Sequence, residues 1–130
     1  MDALRERLRA LRNGLLKLHK ALLESERTAY EKDIARITST GQYLGLVLND
    51  PWFHWLHELS QFIVLIDETL DRKDEPIAQD EADRLMERAR LLLVPAEEGS
   101  GFARRYFEVL QSDPGTVLAH RDMLQVLNGL

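Results

Sequence analysis

The sequence lacks cysteine entirely. Disulfides, zinc–thiolate sites, iron–sulfur clusters and cysteine nucleophiles are therefore excluded. It also lacks any run of about 18 apolar residues, the length that a membrane-spanning helix requires. A chain without cysteine suits a reducing compartment, so we predict a cytoplasmic protein with no membrane span.

Basic side chains are outnumbered by acidic ones and are unevenly distributed along the chain. The chain of 130 residues has a net charge of −5. Residues 1–20 carry six basic and two acidic side chains, whereas residues 50–98 carry five basic and thirteen acidic ones. The acidic balance argues against a nucleic-acid partner, and the asymmetry favours antiparallel neighbours or head-to-tail association.

Leucine recurs with helical periodicity at the start of the chain. Leucines at positions 4, 8, 11, 15, 18 and 22 alternate steps of four and three, which keeps one side of a long helix apolar. The basic residues Arg5, Arg9 and Arg12 form another face, which either is solvated or engages an anionic membrane or an acidic partner. Asn13-Gly14 marks either a kink or a site of close approach.

Caps and helix-breaking residues divide the rest of the chain into further helices. We predict an all-α fold in a single domain, residues 1–130, with four main antiparallel helices in a bundle plus two short helices. The first helix begins near Leu4 and ends at Thr38-Ser39-Thr40-Gly41, a stretch that also offers caps for the next helix. The others are predicted as Gln42–Leu48, Pro51 to about Leu70, Gln79–Val94, Phe102–Gln111 and Gly115–Leu127.

Asp50-Pro51 marks the start of the third predicted helix. An Asp side chain can accept hydrogen bonds from the unpaired N–H groups there, and proline at the first helical position gives up no hydrogen bond. Every residue from Phe62 to Ile66 is apolar, which predicts that this helix is the most buried and central one. Its predicted core stripe is Trp52, Trp55, Leu56, Leu59, Phe62, Ile63, Ile66 and Leu70.

Three possible metal ligands lie three and four residues apart in this helix, opposite its apolar stripe: His54, His57 and Glu58. They form either a polar helix face or a metal site. A hemerythrin-type di-iron centre needs more histidines than the four in this chain. A mononuclear site would use His54, His57, Glu58 and His120. The polar face is the simpler reading, and we predict no cofactor.

Asp67 and Ser60 lie at the border of the same apolar stripe. A carboxylate at such a border is costly unless it is paired. We therefore expect Asp67 to meet Arg104 or Arg105, or backbone N–H groups of another helix. A catalytic role for Asp67 is the alternative.

The stretch DPWFHWLHELSQFIVLIDE, residues 50–68, resembles a segment of small bacterial all-helical proteins that have no assigned activity. The matching positions are its Trp, Phe, Ser and Asp residues, and the similarity extends to the second Asp-Pro and to Leu118-Ala119-His120. The resemblance implies a bacterial, cytoplasmic, all-helical protein. It does not extend to His54 and His57 as ligands.

These features predict a non-enzymatic protein that acts through protein–protein contact, as a homodimer or with an unknown protein partner. The first helix is longer than any single helix that could pack against it in a domain of this size. Its extra length would therefore be buried best against a second copy of the chain. The alternative is a small-ligand or metal-binding bundle with its site between the third and sixth helices. The predicted docking residues are Leu4, Leu8 and Leu11 on the first helix, or Trp52 and Trp55 on the third.

Overall fold

The computed structural model describes residues 3–129. Within that range the chain forms α-helices and one 3₁₀ helix, and no strand. The prediction of an all-α fold is confirmed, whereas the antiparallel arrangement of four main helices stays a prediction. The helices are α1 (Ala3–Asp33), α2 (Thr40–Asn49), the 3₁₀ helix (Pro51–Leu56), α3 (His57–Leu70), α4 (Gln79–Leu92), α5 (Phe102–Ser112) and α6 (Pro114–Leu127).

Helix α1 is the element around which the others pack. It contacts α6 most extensively and also α3, α4 and the 3₁₀ helix. The predicted leucine stripe accounts for this, because its members from position 8 to position 22 are fully buried. The prediction that the third helix is the central one is therefore wrong. No helix among residues 3–129 combines the length and apolar character needed to cross a bilayer.

Gly14 is a site of close approach between α1 and α6. Helix α1 continues unbroken through this position. A methyl group on Gly14 would overlap Sδ of Met123, a fully buried side chain of α6. Glycine in a helix interior costs about 1 kcal/mol relative to alanine, and here that cost permits the two helices to pack closely.

The start of the third helical segment confirms the predicted cap but differs in geometry. Asp50 Oδ1 accepts a hydrogen bond from the Trp52 backbone N–H at 2.9 Å, and Pro51 follows it. The first six residues then form a 3₁₀ helix, in which side chains three apart share a face. Phe53 and Leu56 are therefore buried, and Trp52 and Trp55 lie half-buried beside them.

Helix α2 begins as the cap signal predicts and packs against the 3₁₀ helix. The Ser39 side chain accepts a hydrogen bond from the Gln42 backbone N–H. On the covered side, the Tyr43 ring meets the Phe53 ring edge-on at 6.1 Å. Tyr30 of α1 contacts Phe53 and Trp52 in turn, so a small aromatic cluster holds α2 in place. No residue of α2 itself is buried.

Candidate functional site

His57 serves as a cap for helix α2. The rings of His54 and His57 are neighbours, with centroids 4.7 Å apart. His57 Nε2 lies 3.1 Å from the backbone oxygen of Val47, one of the last four carbonyls of α2. Those carbonyls have no partner within the helix, and a carbonyl can only accept, so Nε2 donates the hydrogen bond. With Nε2 engaged in this way, Nδ1 is the ring nitrogen of His57 that is left as a possible metal ligand.

His120 also has a partner within the fold. Its Nδ1 shares a hydrogen bond with the hydroxyl of Tyr106, a fully buried residue of α5. Burial lowers the pKa of His120 and raises that of Tyr106, so both groups are kept neutral. Among residues 3–129, no three His, Asp or Glu side chains are grouped so that they could hold a metal ion. The predicted set of His54, His57, Glu58 and His120 is therefore not brought together as a metal site.

The cap can be tested by comparing the two neighbouring histidines. We expect His57→Ala to lower the free energy of unfolding by about 1 kcal/mol, because the carbonyl of Val47 loses its donor. His54→Ala is the matched control: this side chain is exposed, so its loss should cost less than about 0.5 kcal/mol. Urea unfolding followed by circular dichroism measures both. Equal losses for the two variants would contradict the cap.

Asp67 is paired, but with a different arginine from those predicted. Its Oδ1 accepts a hydrogen bond from Arg12 of α1 at 3.2 Å. Arg5, about two turns earlier on α1, donates to the carbonyls of Leu70 and Arg72 at the end of α3. Two members of the predicted basic face therefore join α1 to α3. Ser60 Oγ donates to the carbonyl of His57 in its own helix, which is a structural contact.

Arg105 forms an ion pair with Glu26, a residue that was not predicted from the sequence. Glu26 of α1 is only 3% exposed, and Arg105 of α5 donates to both of its oxygens at 3.3–3.4 Å. Burial raises the pKa of Glu26 above its usual value. The charge of Arg105 lowers it, and so does the indole N–H of Trp55, whose buried Nε1 lies too far from ideal geometry to form a hydrogen bond with any described residue. The effect of burial on the pKa is larger than these two effects, so the pKa of Glu26 stays raised. Burial therefore disfavours the charged form of Glu26, and the ion pair with Arg105 stabilises it.

A signal for Glu26 was present in the leucine stripe. The stripe runs through Leu15, Leu18 and Leu22, and a further step of four reaches position 26. A glutamate in a core register requires a cation or a donor from a packed neighbour. The sequence therefore marks Glu26 as a buried charge, although it does not identify the helix that supplies the partner.

The predicted docking residues are mostly occupied by the chain's own core. Leu8 and Leu11 are fully buried, so the prediction that they form a docking surface is wrong. Their stripe faces the partner helices of the same chain instead of a second copy. Leu4 is half-buried against that core.

The two tryptophans are likewise engaged within the chain, although each keeps part of its surface in solvent. Trp52 Nε1 donates to the backbone oxygen of Glu26 at 3.2 Å. The Trp55 ring packs against Phe102, with centroids 5.3 Å apart, and Arg105 lies over it. As interface anchors, Trp52 and Trp55 would offer only the part of each side chain that stays exposed.

Helix α2 carries an apolar face that the described chain leaves uncovered. Its ten residues include no charged side chain. Tyr43, Leu46 and Val47 form the side turned towards the fold and are half-buried. Leu44 and Leu48 lie on the other side and are 55% and 66% exposed. A helix that is apolar on both sides is normally buried on both, which makes this outward face the strongest candidate for a docking surface.

The site described above consists of an uncovered helix face and polar residues that hold helices together. The resemblance of residues 50–68 to bacterial helical proteins stays a prediction. A proposal for the function therefore depends on the contacts and exposed surfaces of the chain itself. No family model, curated protein or solved structure matches this chain.

Proposed function

We propose that this chain is a non-enzymatic helical protein that acts by protein–protein contact, first of all by forming a homodimer. The single observation that carries the proposal is the outward face of α2, where two leucines are more than half exposed on a helix without charge. Removing such a face from water is favourable by about 25 cal/mol for each Å² of apolar area. A second protein surface is the natural cover.

The polar residues support the same proposal. His57 caps α2, His120 is bonded to Tyr106, and Asp67 is paired with Arg12. Each of these candidate reactive groups contributes to holding two elements together. A contact protein with a rigid helical frame needs such ties and needs no reaction chemistry. With the sequence resemblance, we place this activity in a bacterial cytoplasm.

The oligomeric state in solution tests the proposal. We expect size-exclusion chromatography with light scattering to give twice the mass of one chain at tens of micromolar protein, in buffer of physiological salt. The dimer should persist at higher salt, because an apolar contact is not screened by ions. A mass of one chain across this concentration range would refute self-association.

A further inference from the structure

We propose that the dimer forms by antiparallel pairing of α2 with α2 of a second copy, through the face of Gly41, Leu44, Gly45 and Leu48. This inference rests on the proposed self-association and specifies its interface. The four residues are spaced i, i+3, i+4 and i+7, so they lie on one side of the helix. All four are exposed in the described chain.

The two glycines are not required by the chain's own fold. Neither has a positive φ, in contrast to Gly99 and Gly101. A Cβ added at Gly41 or Gly45 would meet nothing within 4 Å, whereas one at Gly14 would overlap Met123. Glycine weakens a helix, so its presence in α2 without an internal reason points to a close approach from outside.

The face is complementary to itself. Leucine side chains project from it, and each glycine leaves a gap beside them. A two-fold dimer brings the same patch of both copies together, which requires projections and gaps on one surface. In antiparallel pairing, Leu44 of one copy lies near Gly45 of the other, and Leu48 lies near Gly41. Each projecting leucine therefore meets a position without a side chain.

Charge at the two ends of α2 selects the antiparallel direction. Arg36, just before the helix, is exposed and forms no ion pair with any described residue. Asp50, just after it, has its Oδ1 bonded to Trp52 N–H, and a carboxylate can accept several more hydrogen bonds. Antiparallel pairing brings Arg36 of each copy to the end of α2 where the other carries Asp50. Parallel pairing would place like charges together. Opposed helix dipoles favour the same direction.

A double charge substitution tests the interface. We expect Leu44→Glu/Leu48→Glu to raise the dissociation constant of the dimer at least about a hundredfold, because it sets four unpaired carboxylates against one another. Leu91→Glu/Val94→Glu is the matched control, with two residues that are 69% and 59% exposed near the end of α4. It adds the same charge and should leave the dimer intact. Circular dichroism establishes that both variants are folded.

Single cysteines test the direction, and the absence of native cysteine makes the result unambiguous. Position 44 lies close to the two-fold axis, so Leu44→Cys should form an intermolecular disulfide under mild oxidation. Leu48→Cys should not, because in antiparallel pairing its two copies lie about 10 Å apart along the helix axes, beyond the reach of a disulfide. Each variant replaces one exposed leucine by a smaller side chain, so the gaps at Gly41 and Gly45 stay open.

The outcomes separate this inference from the proposed function. A wild-type monomer would overturn both. A wild-type dimer that survives Leu44→Glu/Leu48→Glu would overturn the α2 interface and leave self-association standing. A dimer lost equally in both charge variants would also overturn the interface. Disulfide formation as readily at position 48 as at position 44 would overturn the antiparallel direction. Loss of the dimer in the α2 charge variant alone, with cross-linking at position 44 and not at position 48, supports the inference.

Discussion

Arg105→Met is expected to lower the free energy of unfolding by about 3 kcal/mol at pH 7, because it strands the carboxylate of Glu26 in the core. Glu26→Gln should stay within about 1 kcal/mol of the wild type. It removes the buried charge itself, and Arg105, about two-fifths exposed, retains solvent and Glu108 as partners. The two halves of one ion pair are therefore expected to differ in what their loss costs.

The cost of Arg105→Met should also depend on pH. Burial raises the folded-state pKa of Glu26 above that of the unfolded chain, and removal of Arg105 raises it further. The folded variant therefore binds a proton more tightly than the unfolded chain does, so lowering the pH through the folded-state pKa stabilises it. We expect the difference between variant and wild type to shrink between pH 7 and pH 5.

Urea unfolding at both pH values and at one fixed protein concentration measures these differences. Arg104→Met is the matched control on the same helix. Its ion pair with Glu108 is partly exposed at 3.1 Å, so its loss should cost less than about 1 kcal/mol. An equal loss for Glu26→Gln and Arg105→Met, unchanged by pH, would mean that a stranded charge is not the cause.

Leu11→Ala is expected to lower the free energy of unfolding by about 3 kcal/mol, because Leu11 is fully buried where α1 meets its neighbours. Leu16→Ala is the control on the same helix. This leucine is 46% exposed, so its truncation should cost less than about 1 kcal/mol. Neither variant should weaken the proposed dimer, since both lie outside the α2 face.

The same pair of variants separates a core leucine from a docking leucine. Urea unfolding reports the stability, and light scattering reports the oligomeric state. If Leu11→Ala left stability unchanged and produced a monomer, Leu11 would belong to an interface between copies. The expected pattern is the opposite, with a weaker fold and an unchanged mass.

Local signals in the sequence were enough for the helices and their starts. The leucine register predicted the buried side of α1, and Ser39 and Asp50 were predicted as caps. These features depend on residues within one or two turns of each other. The faces of Trp52 and Trp55 were predicted wrongly because the chain starts this segment as a 3₁₀ helix, which turns 120° for each residue instead of 100°.

The sequence did not predict which charged residues of different helices form ion pairs. Asp67 was expected to meet Arg104 or Arg105 and instead meets Arg12, while Arg105 meets Glu26. The residue types and the need for a partner were correct. The choice among arginines depends on which helix packs beside which, and at what register. Helical periodicity in the sequence indicates neither the neighbouring helix nor the register at which two helices pack.

The prediction that Leu8 and Leu11 form a docking surface was wrong for a related reason. Apolar periodicity marks a side of a helix that must be covered, and it does not say whether the cover comes from the same chain. The stripe of α1 is covered by α6, α3 and α4. The outward face of α2 is not, although its apolar residues are fewer and its helix is shorter.

The close contact of Gly14 with Met123 joins the first helix to the last. During synthesis, the leucines of α1 leave the ribosome long before α6 exists to cover them. The stripe of α1 therefore stays incompletely covered until α6 has been synthesised, and its full closure must bring together residues as far apart in the sequence as Gly14 and Met123. Chaperones that recognise apolar segments would meet this chain chiefly through its first helix.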